Sequence, residues 1–234
     1  MGQFEENEKL VQTILERGIG VLAQNYVVRK LDAGKFAAPI TMGIQFRIAH
    51  YEIEGVGHLM TMVTEGAPQM QMATYTLTPY FKKLPMISTD YIYNDLGGMF
   101  LIEVYELCKD REAADFQEWI AKYAERFKDI ADVKDIPTKP CFYDPIRPVY
   151  VSKARTPERD QACIQNLVDT MKIFIEQEKA TGLLSEEEKA EQAAIQHKYV
   201  DDLIDLNGVS TQLWVRDHGA DYVREYFHDI FFGV

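Results

Sequence analysis

The chain has 234 residues, of which 47% are hydrophobic, so it is long and apolar enough to bury a sizeable core in one large domain. Its formal net charge of −12 argues against nucleic acid and an anionic membrane surface as partners, because both attract an excess of Lys and Arg. No apolar run approaches the ~20 residues that span a bilayer, which argues against a transmembrane segment.

The cysteines and histidines also limit the classes of site. Cys108, Cys141 and Cys163 are widely spaced, which predicts reduced thiols in a cytoplasmic protein. The acidic N-terminus does not resemble a signal peptide. The five histidines show no zinc-type spacing, so no metal site is predicted. Since no P-loop, Gly-x-Gly-x-x-Gly or Gly-x-Ser-x-Gly motif occurs, we expect no tightly bound cofactor.

The first half of the chain predicts one helix followed by five strands. Residues 4–30 place apolar side chains at helical spacing, with charges between them, which predicts an amphipathic helix. Residues 41–51 alternate between apolar and polar side chains, which is typical of a half-buried strand. The other strands are predicted at 58–65, 70–78, 85–94 and 99–108, with turns at 54–57 and 94–98. Such short turns favour an antiparallel sheet.

The second half of the chain predicts helices. Residues 115–130 have helical spacing, and the Thr156-Pro157 pair is typical of the start of a helix that runs to about residue 180. Ser185 and Glu188 form a capping box that opens a helix to about residue 206, and two more helices complete the chain. This order predicts an α+β fold, an α/β/α sandwich with a central antiparallel sheet flanked by helices, over a single domain of residues 1–234.

The C-terminal segment, residues 207–234, carries a recognisable pattern. Asn207 is followed twelve residues later by Gly219, and an aromatic-rich helix then closes the chain. This segment resembles the C-terminal end of the ferredoxin-dependent bilin reductases. In that family a catalytic Asp follows the Asn, whereas this chain has Gly208. Four further residues fall in the family's register, namely Tyr226, His228, Asp229 and Phe232.

Three earlier segments resemble the same family. Residues 84–93 are similar to a strand whose Asp is a catalytic proton donor, and the resemblance assigns that role to Asp90. Residues 149–155 are similar to a strand with a basic residue that holds a bilin propionate; Lys153 takes that place, with Arg155 nearby. The resemblance also places Asn207 at the substrate. The helices between residues 157 and 206 resemble the family's helical layer.

The chain departs from the family's polar catalytic set at three positions. The family has a His seventeen residues before the strand Asp, where this chain has Ala73. Gly208 replaces the second Asp, and Val209 replaces a basic residue that often follows it. Of that set, Asp90 alone remains, so the resemblance leaves one candidate acid.

Asp90 is an unusual residue for its surroundings. Asp is disfavoured in strands, and this one lies in an otherwise apolar and aromatic run. A carboxyl group buried in an apolar pocket has a raised pKa and can supply protons during a reduction. The alternative is that Asp90 faces solvent or pairs with a basic neighbour.

The other candidates also have simpler interpretations. Lys153 and Arg155 either bind substrate carboxylates or lie on a solvated surface. The Asn207-Gly208 pair is either the remnant of an active-site turn or a plain helix C-cap. Four methionines at alternating strand positions either line a broad apolar pocket or belong to an ordinary core, namely Met60, Met62, Met70 and Met72.

Three functions follow from these residues. The first is reduction of a bilin or related open-chain tetrapyrrole, with electrons from ferredoxin or flavodoxin and Asp90 as proton donor. The second is non-catalytic binding of a tetrapyrrole or another flat apolar ligand on the same fold. The third is a domain whose similarity is only architectural, which a structure without a pocket between the sheet and the C-terminal helices would favour.

Overall fold

Across residues 2–95 and 97–234, which the computed structural model describes, the chain forms one eight-stranded antiparallel sheet. The strands are β1 (Val28–Lys30), β2 (Ile40–Thr41), β3 (Ile44–Ile53), β4 (Gly57–Thr64), β5 (Gln71–Pro79), β6 (Met86–Asn94), β7 (Gly97–Tyr105) and β8 (Val149–Ala154). They lie in the order β1-β3-β4-β5-β6-β7-β8, and β2 pairs with β3. Neighbouring strands from β3 to β7 are consecutive in the chain, so short hairpins form most of the sheet.

Six α-helices lie in the described part of the chain. They are α1 (Gln3–Ala23), α2 (Ala114–Arg126), α3 (Asp160–Ala180), α4 (Glu186–Asp205), α5 (Thr211–His218) and α6 (Ala220–Tyr226). A π-helical turn, Phe227–Phe232, continues α6. The predicted capping box at the start of α4 is confirmed, since the Glu188 amide donates to Ser185 Oγ at 3.2 Å and the Ser185 amide donates to Glu188 Oε2 at 2.7 Å.

The sheet separates two apolar layers, because successive side chains of a strand point to opposite faces. In the first layer, strand residues such as Tyr75 and Ile102 pack against α1, α2 and α3. In the second layer, strand residues such as Phe46 and Met62 pack against α4, α5, α6 and the π-helical turn. Helices therefore cover both faces of an antiparallel sheet, which confirms the predicted α/β/α arrangement.

Two predicted boundaries are wrong. Residues 41–51 do not form one strand, because Met42 and Gly43 have φ of 56° and 71° and make a two-residue hairpin turn between β2 and β3. Residues 28–30, predicted as the end of the first helix, form β1 beside β3. The β-branched pair Val27 and Val28 favours an extended backbone there. The predicted turn at 94–98 includes residue 96, which lies outside the described residues.

Candidate functional site

A cavity of about 490 Å³ lies between the sheet and the helices of the second layer. Small-molecule sites typically have volumes of ~300–1,000 Å³. Met42 and Val209 lie at the rim and are exposed, so the cavity opens to solvent there. Its walls are mainly apolar and aromatic, as the side chains of Phe46, Met62, Met72, Tyr199, Trp214 and Phe231 illustrate. A pocket therefore exists at the place where a merely architectural likeness predicts none.

Three of the four alternating methionines face this cavity. Met62, Met70 and Met72 line it, whereas Met60 is fully buried in the second layer outside the lining. Methionine side chains are flexible and polarisable, so they adapt to broad, flat ligands. The pocket interpretation thus holds for three of these residues and the core interpretation for the fourth.

Asp90 lies half-buried on the floor of the cavity, in the middle of β6. The Thr74 hydroxyl on β5 donates a hydrogen bond to its Oδ1. Burial raises the pKa of the Asp90 carboxyl, and the hydrogen bond from Thr74 acts in the opposite direction. The net result is a raised pKa, so Asp90 keeps its proton to a higher pH than a solvated Asp does. This environment suits a proton donor.

The residue that faces Asp90 across the strands is Thr74 rather than Ala73. Thr74 is the register partner of Asp90, and its side chain lies on the same face of the sheet. Ala73 is buried in the first layer, on the opposite face. Ala73, which the resemblance aligns with the family's histidine, therefore lies on the face away from the cavity, because a shift of one residue reverses the face in a strand.

A second carboxyl group, Glu103, lies on the same floor. It is directly opposite Ser88 on β6, and both residues line the cavity. Burial raises the pKa of Glu103, the charge and hydrogen bond of Arg147 lower it, and the nearby charge of Asp90 raises it. The net direction is upward. The floor therefore holds two carboxyl groups whose pKa values are both raised by burial.

Arg147 is the partner of Glu103 and is itself tightly held. Its guanidinium pairs with Glu103 and with Asp144, and its side chain is only 6% exposed. The guanidinium also stacks on Tyr150 at 3.7 Å and faces Tyr143 at 4.9 Å from the ring centroid. Its Nε is buried and has no hydrogen-bond partner among the described residues. Arg147 thus places a fixed positive charge in the wall beside Glu103.

Lys153 and Arg155 do not lie with Asp90. Lys153 is opposite Phe100, whose side chain belongs to the first layer, and its Nζ donates to the Val133 carbonyl at 3.0 Å and pairs with Asp135 at 2.6 Å. The expected place of Lys153 at the ligand is therefore wrong, because this side chain points to the face away from the cavity.

Arg155 follows β8 and also belongs to the first layer. Its guanidinium forms an ion pair with Asp160 at 2.8 Å, donates to Asn7 Oδ1 at 2.9 Å and lies 4.7 Å from the ring centroid of Tyr93. These contacts join α1, α3 and the sheet. The expected contact of Arg155 with a ligand in the cavity is wrong for the same reason, and its place in the fold is structural.

Asn207 and Gly208 form a helix C-cap. Asn207 has a left-handed φ of 56°, and the Gly208 amide donates to the Leu203 carbonyl at 2.7 Å, which closes the end of α4. The Asn207 side chain is exposed and lies outside the cavity lining, so the structure does not bring it to Asp90. The C-cap interpretation is thus confirmed.

Gly208 lies against the cavity wall. A β-carbon there would be 2.7 Å from Leu203 Cδ2 and 3.0 Å from Thr211 Oγ1, and both of those residues line the cavity. A larger side chain at this position would therefore displace the wall. No second acid from this segment reaches the site, which leaves Asp90 and Glu103 as its carboxyl groups.

The sequence interpretation missed Glu103, Arg147 and Thr74. Glu103 had a signal of the same kind as Asp90, because a charged residue in an apolar strand is unusual. Thr74 could have been found only from the strand register. Arg147 follows an irregular proline-containing segment without periodicity, so nothing in the sequence places it beside Glu103.

No protein-family model matches the sequence, and no curated protein has significant sequence similarity to it. Among solved structures, the crystal structure of phytochromobilin synthase from tomato in complex with biliverdin matches with a TM-score of 0.70. The match has 15% sequence identity and covers 97% of this chain and 82% of that chain. The two chains share one fold.

Two further properties of the described residues bear on the kind of site. In the described part of the chain, no helix is both long and apolar enough to cross a membrane. Across residues 2–95 and 97–234, no group of three or more His, Cys, Asp or Glu side chains is arranged to hold a metal ion. The cavity with its two carboxyl groups lies in this described part of the chain.

Proposed function

We propose that this protein reduces a bilin or a related open-chain tetrapyrrole, with electrons from ferredoxin or flavodoxin and Asp90 as a proton donor. The observation that carries the proposal is Asp90 itself, a carboxyl group with a raised pKa on the floor of an open, apolar cavity. The cavity occurs in a fold shared with a protein crystallised with biliverdin.

In the proposed reaction, the donor protein and this chain supply different components. Electrons come from the donor protein, and the chain supplies binding, orientation and protons. The apolar and aromatic walls exclude water and stack on a flat conjugated ligand. Asp90 gives its proton to the ligand and becomes a carboxylate, which the Thr74 hydroxyl stabilises through its hydrogen bond. Reprotonation from solvent follows when the product leaves.

A spectroscopic assay with a matched pair of variants tests this function. Purified protein is titrated with biliverdin and then supplied with reduced ferredoxin or flavodoxin without oxygen, while the visible spectrum is followed. We expect Asp90→Asn to retain the binding spectrum and to lose turnover by ~10²–10⁴-fold. Asp221→Asn, an exposed Asp on α6 outside the cavity, serves as the control and should behave as wild type. Absence of any spectral change across several bilins would count decisively against the proposal.

The second candidate function is binding of a flat tetrapyrrole without catalysis. Gly208 favours it, since the position that carries a second catalytic Asp in the bilin reductase family has no carboxyl group in this chain. Under this alternative the protein binds a bilin tightly, no electron donor changes the spectrum, and Asp90→Asn has no effect beyond affinity. Turnover that Asp90→Asn abolishes would exclude it.

A further inference from the structure

Two carboxyl groups stand side by side on the cavity floor, although the sequence resemblance assigns an acid role to Asp90 alone. Asp90 is opposite Leu101, and Glu103 is two residues further along β7 on the same face. Diagonal neighbours of this kind lie ~7–8 Å apart in an antiparallel sheet. Both side chains line the cavity, so a flat ligand on the floor can contact both at different atoms.

The reduction of one double bond consumes two electrons and two protons, and a single acid supplies only one of those protons. A ligand that fills the cavity also separates the floor from the solvent at the rim, where Met42 and Val209 lie. The second proton must therefore already be stored within the cavity. Besides Asp90, the described lining contains one other carboxyl group, Glu103.

We propose that Glu103 is the second proton donor of this cavity. The role rests on the proposed function and deepens it. Within one turnover, the donor protein supplies two electrons in single steps, and Asp90 and Glu103 each give one proton to the ligand. Both groups end as carboxylates, and solvent reprotonates them after the product leaves. The protons and electrons then balance with no further reactant.

The contacts of Arg147 suit this role. Its charge is shared between Glu103 and the exposed Asp144, and its position is fixed by Tyr150 and Tyr143. A guanidinium in that place stabilises the carboxylate that remains after Glu103 has lost its proton. The energy of the product state therefore favours proton donation, while burial raises the pKa of Glu103 and so favours its protonated form before the ligand reacts.

The first test measures the proton on Glu103 without any turnover. Infrared spectra of the ligand-free protein labelled with ¹³C-glutamate should show a protonated carboxyl band at neutral pH. The band should disappear in Glu103→Gln and persist in Glu106→Gln. Glu106 is a matched control because it is also buried, but it bonds to Gln117 of α2 at 2.6 Å on the other side of the sheet. A Glu103 that is fully ionised at neutral pH would overturn the inference.

The second test follows a single turnover with biliverdin and reduced ferredoxin. We expect Glu103→Gln to bind the bilin normally, because its amide oxygen still accepts from Arg147. The variant should complete the reduction ~10²-fold more slowly and accumulate a half-reduced radical that electron paramagnetic resonance detects. Glu106→Gln should stay within about twofold of wild type, well below the effect of losing an acid.

These outcomes distinguish failure of the Glu103 role from failure of the proposed function. If wild type reduces a bilin and Glu103→Gln does so equally fast, Glu103 is not a donor, whereas the proposed function stands. If wild type reduces no bilin, the proposed function fails and this role fails with it. A protonated Glu103 together with a stalled radical supports both.

Discussion

Two opposing influences set the pKa of Asp90, and they can be separated experimentally. Burial raises this pKa, and the Thr74 hydroxyl lowers it by stabilising the carboxylate. Thr74→Val removes the second influence, so the pKa of Asp90 rises further. Activity that requires protonated Asp90 falls as the pH passes upward through this pKa. We therefore expect the alkaline limb of the pH–rate profile to move to higher pH in Thr74→Val.

The matched control for that profile is Thr89→Val. Thr89 is equally buried on β6, but it is opposite Ile102 and belongs to the other face of the sheet. Its substitution should leave the alkaline limb where it is in wild type. A shift to lower pH in Thr74→Val would show that the hydroxyl does not stabilise the carboxylate.

Asp90 should also cost the protein stability at neutral pH. Because the pKa of Asp90 is raised in the folded state, folding favours the protonated carboxyl group. This contribution to stability is complete below the unfolded-state pKa of about 3.9, and it is lost as the pH rises through the folded-state pKa. Asp90→Asn has no ionisable group at this position, so it escapes this loss of stability. The variant should melt at a higher temperature than wild type at pH 7, and the difference should vanish near pH 4. Asp221→Asn should show no such pattern in thermal unfolding followed by circular dichroism.

The sequence could predict Asp90 but not its neighbours, for a physical reason. A charged residue in an apolar strand stands out locally, whereas its partners depend on strand register and on a distant loop. Thr74 faces Asp90 only because β5 and β6 align it there, and Ala73 one residue away faces the opposite layer. Local pattern thus identifies an exceptional residue, and tertiary contacts decide what it touches.

Asn207 lies at the end of α4 because the backbone there is left-handed. A left-handed φ of 56° costs most residues roughly 1–2 kcal/mol but is accessible to Asn and Gly. Asn207→Gly should keep stability and bilin affinity near wild type, while Asn207→Val should lower the free energy of unfolding by about 1–2 kcal/mol. Urea denaturation and a bilin titration measure the two effects. If Asn207→Gly is as stable as wild type but binds the bilin more weakly, the Asn207 side-chain amide contacts the ligand.

The contact between Glu103 on β7 and Arg147 in the loop before β8 should contribute to stability. Arg147 cannot lose its charge, whereas Glu103 can become neutral by taking up a proton. Glu103→Leu removes a buried hydrogen-bond acceptor and leaves the Arg147 guanidinium with only the exposed Asp144, so it should cost about 1–3 kcal/mol of unfolding free energy. Arg147→Leu should cost less. The double variant should recover part of the loss in a double-mutant cycle, and equal costs for both single variants would contradict this account.

Regular elements were predictable where the local pattern and the tertiary structure agree. The capping box at Ser185 is a purely local device, and α4 begins there as expected. The hairpin at Met42 was missed because its turn places a non-glycine residue in the left-handed region, and the apolar alternation continues through it. The Met42 amide is held by the Asp217 carboxylate at 2.6 Å, a contact that links the turn to the distant α5.

At the scale of the whole molecule, the face of the sheet on which a side chain lies decides whether it reaches the cavity. Tyr150 on β8 faces the cavity, so Lys153, three residues later, faces the first layer. The sequence alternation along β8 was visible, but nothing in it shows which of the two apolar layers contains the cavity. That choice depends on how α4, α5 and α6 leave a gap over β6 and β7. Lys153 and Arg155 were therefore assigned to the correct strand region and to the wrong side of it.

If ferredoxin is the electron donor, as the proposed function holds, the net charge of −12 predicts how the reduction rate depends on salt. Ferredoxins are acidic, so two negative proteins repel each other at long range, and salt screens that repulsion. The Debye length falls from ~30 Å at 0.01 M to ~8 Å at 0.15 M. With the donor below saturation, we expect the reduction rate to rise over this range of ionic strength. A bilin titration at each salt concentration checks that ligand affinity is not the cause.

A charge reversal at the cavity rim separates local from global repulsion. Lys139 lines the cavity near its opening, whereas Lys122 is exposed on α2, on the other side of the sheet. Both Lys139→Glu and Lys122→Glu change the net charge by the same amount. If the donor docks at the cavity, Lys139→Glu should slow reduction at low salt and Lys122→Glu should change it little, and the difference should shrink as salt rises. Equal slowing by both variants would show that only the total charge matters, and a rate that falls with salt in wild type would indicate a basic docking face elsewhere on the molecule.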